Sequence, residues 1–300
     1  MKKGFIYGPD GSLAWARHSA LTPTPFLLSE SVLRVYAGFR DERGVSRIGY
    51  VDVSPEDPSV VLGVSKEPAL DVGEPGTFDD NGVILGDVLR VRDRLLMYYV
   101  GFQKVEQVKF LAFTGLAVSD DQGGSFRRVS RTPVLDRTDS ELYIRAAHSV
   151  IHENGMFRVW MAGGSGWEWI GGKPFPRYDI RYLESEDGIH FNREAQLSLG
   201  CQGDEYRIGR PRVRRLGTRY SMYYTWGDTH GRYLPGYAES TDGLAWVRKD
   251  EHVGIGPSSE GWDSVHLCYP APLEYRGKTY MFYNGNDMGR AGFGYAVLET

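Results

Sequence analysis

Acidic residues recur at nearly equal intervals along most of this 300-residue chain. Four of them, at steps of 62, 63 and 59 residues, are Asp79, Glu141, Asp204 and Asp263. Asp80 and Glu205 follow directly at two of these places. A pair of carboxyl groups can act as general acid and general base, which is the chemistry that this set could supply. The alternative is structural, because a residue repeated at equivalent positions can also serve a repeated contact.

Basic and histidine side chains fall in the same segments of the chain. They are Arg17, His18, Arg145, His148, Arg207, Arg210 and His266. Planar guanidinium groups bind carboxylate or phosphate through paired hydrogen bonds, so this set favours an anionic group on the substrate. The alternative is that each arginine balances one of the recurring carboxylates. No cofactor is predicted, although the three histidines leave open a metal ion at the centre of the repeats.

The elements that would position these side chains come from an internal repeat. Short aromatic runs align at Tyr36, Tyr99, Met161, Tyr224 and Tyr283, with steps of 63, 62, 63 and 59 residues. Such a period is typical of propellers and solenoids. An earlier strand of each repeat is predicted to start at Pro23, Gly86, His148, Pro211 and Pro270.

A polar turn follows the aromatic strand in several repeats. The stretch from Ser119 to Phe126 fits S-x-D-x-G-x-x-F, and two shorter versions run from Ser185 to Phe191 and from Ser240 to Trp246. In such a turn Asp accepts backbone N–H groups, Gly adopts a positive φ and the aromatic side chain packs beneath. These aspartates are therefore interpreted as structural.

Each repeat predicts four strands in about 60 residues. The fold class is accordingly all-β, a single domain over 1–300 that forms a five-bladed β-propeller of four-stranded antiparallel blades. The fifth repeat ends at Thr300 without its fourth strand. The segment Phe5–Tyr7 is therefore predicted to complete the last blade.

Three further stretches carry a resemblance to a known family. They are GTFDDNGV at 76–83, GWDS at 261–264, and YMFYNGN at 280–286 followed by GFGYA at 292–296. With the Asp turns, they make the whole chain resemble the five-bladed propeller superfamily of glycoside hydrolase families 43, 32 and 130, in a branch associated with bacterial surface polysaccharides. The resemblance implies cleavage or transfer of a glycosidic bond by two carboxyl groups. The furanosidase branch has a carboxylate base at the start of blade 1, whereas Trp15–Ala20 contains neither Asp nor Glu.

Within this resemblance, Asp80 is expected to be the general base or nucleophile and Glu205 the general acid. Asp263 and Glu141 are expected to orient and tune them. Asp80 and Glu205 stand beside the repeated position, where other repeats have different residue types. Residues that depart from a repeat are better candidates for chemistry than residues that obey it.

The segment GGSGWEWIGG at 163–172 is predicted to be a long, flexible loop. Indole rings stack on sugar rings, so Trp167 and Trp169 are expected either to cover the substrate or to form a hydrophobic plug. The remaining expected substrate contacts are Asp79, Asp204 and the basic and histidine residues named above.

Composition excludes several classes of protein. The formal net charge is −4, and no basic run is present, which argues against nucleic acid as a partner. No apolar run approaches the roughly 20 residues that span a bilayer. The N-terminus lacks the apolar core of a signal peptide, which predicts a cytoplasmic protein with Cys201 and Cys268 as free thiols.

The sequence favours a carbohydrate-active enzyme acting on a bacterial oligosaccharide, with a glycosidase or related transferase mechanism. Two alternatives remain open. One is a glycoside phosphorylase that uses inorganic phosphate, which the basic residues would suit. The other is a non-catalytic carbohydrate-binding propeller, because the blade-1 carboxylate is absent.

Overall fold

The computed structural model describes residues 2–298, apart from the side chain of Ser165. The first ten strands are β1 (Lys3–Tyr7), β2 (Ser19–Leu27), β3 (Leu33–Arg40), β4 (Ser46–Val53), β5 (Val61–Val64), β6 (Val83–Val91), β7 (Arg94–Gln103), β8 (Leu111–Ser119), β9 (Arg127–Arg128) and β10 (Ile144–Glu153). The next ten are β11 (Met156–Ile170), β12 (Lys173–Ser185), β13 (Gln196–Leu199), β14 (Glu205–Leu216), β15 (Arg219–Asp228), β16 (Tyr233–Ser240), β17 (Val247–Arg248), β18 (Cys268–Tyr275), β19 (Lys278–Asn284) and β20 (Phe293–Leu298). A 3₁₀ turn at Asp250–His252 and a short helix, α1 (Asn286–Gly289), complete the elements of this part of the chain. The prediction of an all-β fold is confirmed.

Antiparallel pairing divides the described strands into groups of four. Group 1 is β2–β5, group 2 is β6–β9, group 3 is β10–β13 and group 4 is β14–β17. Group 5 is β18–β20, with β1 paired to β20 at its outer edge. The N-terminal strand therefore supplies the fourth strand of the last group, as predicted. Short parallel pairings of β8 with β10 and of β12 with β14 join groups 2, 3 and 4.

The first strands of the groups contact one another in a cyclic order. β2 contacts β6, β6 contacts β10, β10 contacts β14, β14 contacts β18, and β18 contacts β2. Each pair of cyclic neighbours also shares a hydrophobic core. Between groups 5 and 1, for example, Phe282 and Tyr295 pack with Val35 and Phe39, and all four are fully or almost fully buried. Burial of such aromatic surface is the main force that holds one sheet against the next.

The predicted strand starts were wrong, because the residues chosen as starts lie inside the first strands. The ladder to the second strand skips one or two residues at Thr22–Pro23, Gly86, His148, Arg210–Pro211 and Tyr269–Pro270. Thr22, Arg210 and Tyr269 have φ values of 55°, 56° and 58° there. These are β-bulges, where a residue is left unpaired and a proline without an N–H is tolerated. Proline and glycine therefore marked the middle of each strand rather than its beginning.

The Asp turns form as predicted and also join the groups. In one of them Asp121 accepts the backbone N–H of Ser125 at 2.9 Å, and Gly123 has a φ of 85°. Aromatic side chains of second strands donate hydrogen bonds to the carbonyl oxygens of turn glycines in the next group: Tyr36 to Gly123 at 2.8 Å, Tyr98 to Gly188 at 2.7 Å and Trp160 to Gly243 at 2.9 Å. The turns are therefore part of the contact between neighbouring sheets.

Cys201 and Cys268 are free thiols, as predicted. Within residues 2–298, no helix has the length and apolar character needed to cross a bilayer.

Candidate functional site

The repeated carboxylate of group 2 is held in a buried ion pair. Asp79 is 1% exposed, and its carboxylate accepts a hydrogen bond from Arg128 Nε at 2.7 Å and another from Thr77 Oγ1 at 2.8 Å. Arg128 belongs to β9, the outermost strand of the same group. The contact therefore fastens the segment that enters group 2 to the outer edge of that group.

Equivalent contacts occur in groups 4 and 5. Arg248 of β17 donates two hydrogen bonds to the carboxylate oxygens of Glu205, at 2.8 and 2.9 Å. Lys3 of β1 lies 3.0 Å from Asp263, whose carboxylate also accepts a hydrogen bond from Tyr283 at 2.9 Å. In both groups the basic residue comes from the outermost strand, as it does in group 2.

The carboxylate of group 3 is fully buried. Glu141 lies 3.3 Å from Arg145 Nε and 3.3 Å from Arg181 Nη1, and it accepts a hydrogen bond from Thr138 Oγ1 at 2.9 Å. Here the counterions come from the first and third strands of the group rather than from the fourth.

These contacts correct the alignment of the fourth repeat by one residue. Asp204, the predicted equivalent of Asp79, is 69% exposed and lies 3.2 Å from His230 Nε2. Glu205 instead occupies the ion-pair position of the repeat. It is therefore the regular carboxylate of its group and not a departure from the repeat.

Asp80 differs from the other candidate acids. Its Oδ2 accepts the backbone N–H of Gly76 at 2.8 Å. Its Oδ1 is buried and has no hydrogen-bond partner among residues 2–298. Glu141 Oε1 is also buried without a hydrogen-bond partner there, but it lies 3.3 Å from the Arg181 guanidinium, whereas Asp80 forms no ion pair with the described residues. The contacts of the described residues do not join one candidate acid to another.

Two of the basic candidates form the centre of the ring of first strands. Arg210 is 5% exposed and donates hydrogen bonds to the carbonyl oxygen of Leu85, to His148 Nδ1 at 2.9 Å, and to the carbonyl oxygen of Thr22 at 3.2 Å. Burial, together with the charge of Arg212, lowers the pKa of Arg210 to about 9. Burial and these two arginines also hold the pKa of His148 well below its ordinary value. Arg210 thus connects β14 with β2, β6 and β10 and belongs to the framework.

Arg145 is also an internal cation. Besides its ion pair with Glu141, it donates to the carbonyl oxygens of Asp136 at 2.9 Å and Arg193 at 3.2 Å. Burial lowers its pKa. At the start of group 1, Arg17 and His18 are exposed, and Arg17 lies 3.6 Å from Glu42. The interpretation of the arginines as charge balance therefore holds for Arg145.

Arg207 is placed differently from the other arginines. Its guanidinium lies over the rings of Tyr233 and Tyr206, with centroid distances of 4.2 and 5.0 Å. Its Nε is buried without a hydrogen-bond partner in the described part of the chain. His266 lies just before β18, three residues ahead of the bulge at Tyr269, as Arg207 lies three residues ahead of the bulge at Arg210. The Nδ1 atom of His266 is also buried without a hydrogen-bond partner in the described part of the chain.

The segment 163–172 forms an ordered hairpin, which corrects the expectation of a flexible loop. Gly166 pairs with Arg177 and Ile170 with Lys173, and the turn is made by Gly171 and Gly172 at φ values of 57° and 75°. Two adjacent residues at positive φ suit glycine and give a tight hairpin.

The two tryptophans of this hairpin have different surroundings. Trp167 packs against Phe110 and Tyr143, with ring centroids 6.0 and 5.8 Å apart. Trp169 is 64% exposed. Only Trp169 therefore presents an open indole face, and Trp167 fits the hydrophobic plug.

No group of three His, Cys, Asp or Glu side chains in the described residues could hold a metal ion. The geometry of the histidines agrees with this finding. His148 directs Nδ1 at a guanidinium, which would repel a cation, and His18 is exposed beside Ser19.

The sequence reasoning missed the counterions and the tyrosines around Arg207. A signal for the counterions was present, since Arg128 and Arg248 each stand two residues after the aromatic residue of an Asp turn. Tyr206 and Tyr233 belong to group 4, whereas Tyr178 of β12 and Tyr269 of β18, which are also neighbours of Arg207, belong to groups 3 and 5. Only the folded chain brings these four tyrosines together.

Comparison with solved structures defines the class of fold. A structure described as a glycoside hydrolase matches 100% of this chain and 92% of its own, with a TM-score of 0.74 and 16% identity. A thermostable family-43 glycoside hydrolase matches over 97% of this chain and 92% of the hydrolase chain, with a TM-score of 0.69 and 14% identity. A GH32 β-fructofuranosidase of Bombyx mori matches over 98% of this chain and 61% of its own, with a TM-score of 0.67 and 15% identity. The chain has the fold of glycoside hydrolases of families 43 and 32, as the resemblance predicted.

Sequence relatives then give the family. The chain is 34% identical over 300 residues to the uncharacterized protein Rv1502 of Mycobacterium tuberculosis strain H37Rv, covering 100% of this chain and 99% of the relative. The protein MT1551 of strain CDC 1551 matches at the same identity and coverage. This chain belongs to the family of these mycobacterial proteins. No family model matches it.

Proposed function

We propose that this protein is a carbohydrate-active enzyme that cleaves or transfers a glycosidic bond of a bacterial oligosaccharide. The observation that carries the proposal is the likeness of fold to glycoside hydrolases over the whole chain. A fold hosts many functions, so the chemistry must be argued from the site itself.

We further propose that the five groups are the blades of a five-bladed propeller. The cyclic contacts of the first strands support this arrangement, and so does the hydrophobic core between each pair of neighbours. The substrate would then bind where the first strands begin. Segments distant in sequence meet there, and ligand sites of radial folds lie on such loops.

Asp80 is the proposed general base or nucleophile. Its unpartnered Oδ1 could accept a hydrogen bond from a water or a sugar hydroxyl. Glu205 remains the proposed general acid, with Glu141 and Asp263 orienting. To donate a proton, Glu205 would have to leave the two hydrogen bonds from Arg248. A substrate that displaces Arg248 from Glu205 would release these hydrogen bonds when it binds.

One observation favours a non-catalytic carbohydrate-binding protein as a second candidate. The four repeated carboxylates are all engaged by basic side chains, and the segment Trp15–Ala20 offers no acid. Such a protein would bind sugars through its aromatic side chains and arginines without breaking a bond.

A panel of bacterial oligosaccharides, assayed with and without inorganic phosphate, separates these functions. Release of a reducing sugar indicates a hydrolase, and a sugar phosphate formed only with phosphate indicates a phosphorylase. With an established substrate, Asp80→Asn should lower kcat by at least about 100-fold, since acid–base catalysis contributes about that much. The matched control is Asp120→Asn, a 71% exposed carboxylate on an outer turn. Binding without turnover across the panel would reject the enzyme in favour of the binding protein.

A further inference from the structure

We infer that Arg207 and the tyrosines around it form a subsite for an oxyanion group of the ligand: a carboxylate, sulfate or phosphate carried by a sugar, or a free phosphate. The inference rests on the proposed function for the carbohydrate part of the ligand. The subsite itself follows from the contacts of Arg207.

The guanidinium of Arg207 has aromatic walls and no acidic neighbour. It lies over the rings of Tyr233 and Tyr206, and Tyr178 and Tyr269 are its other aromatic neighbours. Between residues 2 and 298 it makes no hydrogen bond or ion pair with the protein. A partly buried arginine with unused N–H donors is uncommon, because charges removed from water are normally paired.

Arg145 provides an internal comparison. Both arginines stand three residues before the bulge of a first strand, Arg145 before His148 and Arg207 before Arg210. Arg145 faces Glu141 and two carbonyl oxygens. In group 4 the corresponding carboxylate, Glu205, is already held by Arg248. The same backbone position therefore has an internal counterion in one group and none in the other.

A glycine keeps Arg207 in its place. Gly227 pairs with Arg207 across the ladder, and a Cβ there would stand 2.7 Å from Arg207 Nε and 2.9 Å from a ring carbon of Tyr233. The absence of a side chain lets the guanidinium cross β15 and reach the tyrosine ring. Any larger residue at 227 would have to move one of them.

The chemistry of the subsite selects an anion. Aromatic rings alone would attract a cation, but the guanidinium already occupies that place. Its planar set of N–H donors matches two oxygens of a carboxylate, sulfate or phosphate. Neighbouring phenols add donors, since burial raises the pKa of Tyr233 and of Tyr269 and keeps both protonated.

The test is a calorimetric titration of the full chain at low ionic strength. The probes are inorganic phosphate, sulfate, a sugar acid (galacturonate) and neutral galactose. We expect at least one oxyanion to bind and galactose to bind more weakly. Arg207→Gln should weaken the oxyanion about ten- to hundredfold, which is the effect of losing a charge-assisted hydrogen bond. Arg131→Gln, at a 77% exposed arginine, is the matched control and should change nothing.

Gly227→Ala is the second variant, because it keeps the charge but displaces the guanidinium, and it should weaken the oxyanion as well. Preference for phosphate over galacturonate would identify a free phosphate site, and the reverse would identify an acidic sugar. Failure of every oxyanion to bind the wild type would overturn the inference, and so would oxyanion binding by Arg207→Gln and Gly227→Ala that is as tight as that of the wild type. Oxyanion binding without turnover would leave the subsite standing and reject the enzyme. Cleavage of an oligosaccharide that Arg207→Gln leaves unaffected would support the enzyme and reject the subsite.

Discussion

His148 accepts a hydrogen bond at Nδ1 from Arg210 Nη1, 2.9 Å away, and both side chains are more than nine-tenths buried. The contact joins the first strands of groups 3 and 4 at the centre of the ring. It requires that Nδ1 carry no proton, so His148 must be neutral for the contact to form. A neutral histidine against a buried arginine makes the centre of the fold sensitive to acid.

The first prediction concerns stability against pH. The pKa of His148 lies well below its ordinary value of 6.5 in the folded chain. As the pH falls below 6.5, the histidine of the unfolded chain takes up a proton while that of the folded chain stays neutral. The free energy of unfolding therefore decreases by up to about 1.4 kcal/mol per pH unit. His148→Gln retains an acceptor for Arg210 but cannot titrate, so its slope between pH 7 and 5 should be shallower. Urea unfolding measures both slopes, and His252→Gln, at an exposed histidine, should keep the wild-type slope. Equal slopes for His148→Gln and wild type would contradict the assignment.

The second prediction concerns the repeated ion pairs. Asp79→Asn removes the charge that compensates Arg128 at a buried site and should cost about 3–5 kcal/mol of unfolding free energy. Arg131→Gln breaks an ion pair with Glu74 in which both side chains are more than two-thirds exposed. That change should cost about 1 kcal/mol or less. If urea denaturation gave similar losses for the two variants, Asp79 would not have the structural role described here.

A third prediction separates the tryptophans of the hairpin. Trp169→Ala should leave the free energy of unfolding within about 0.5 kcal/mol of wild type, because the ring is exposed. It should weaken carbohydrate binding. Trp167→Ala removes packing against Phe110 and Tyr143 and should cost about 1–3 kcal/mol. Thermal unfolding and a glycan titration of both variants check the difference, which would vanish if both rings were packed alike.

The fourth prediction tests the bonds between neighbouring groups. Tyr98→Phe leaves the buried carbonyl oxygen of Gly188 without its donor and should cost about 1–3 kcal/mol. Tyr143→Phe is the control, since its hydroxyl makes no hydrogen bond with residues 2–298 and its loss should change stability little. Chemical denaturation compares the two. An equal effect would mean that the Asp turns do not join adjacent sheets.

The repeated elements were predictable because they depend on local chemistry. Ser, Asp and Gly at fixed offsets form the same turn wherever they occur, and alternating aromatic residues form strands. The pairing of β1 with β20 was also predictable, since the last repeat lacked one strand. The bulges were not, because Pro and Gly at the middle of a strand resemble those at its start.

The site was less predictable because its contacts are not local. Arg248 follows Glu205 by 43 residues in the sequence. The ion pair between these two side chains shows that Glu205, rather than Asp204, is the repeated carboxylate. Likewise, spacing in the sequence could not show that Arg145 has a counterion while Arg207 has none. These distinctions depend on which side chains meet across strands.

A crystal structure of the protein soaked with galacturonate or with an oligosaccharide that it binds tests the central claim most directly. The account predicts ligand density where the first strands begin, with an anionic group within hydrogen-bond distance of Arg207 and a sugar oxygen near Asp80 Oδ1. Density confined to the outer turns, with Arg207 and Asp80 untouched, would contradict it.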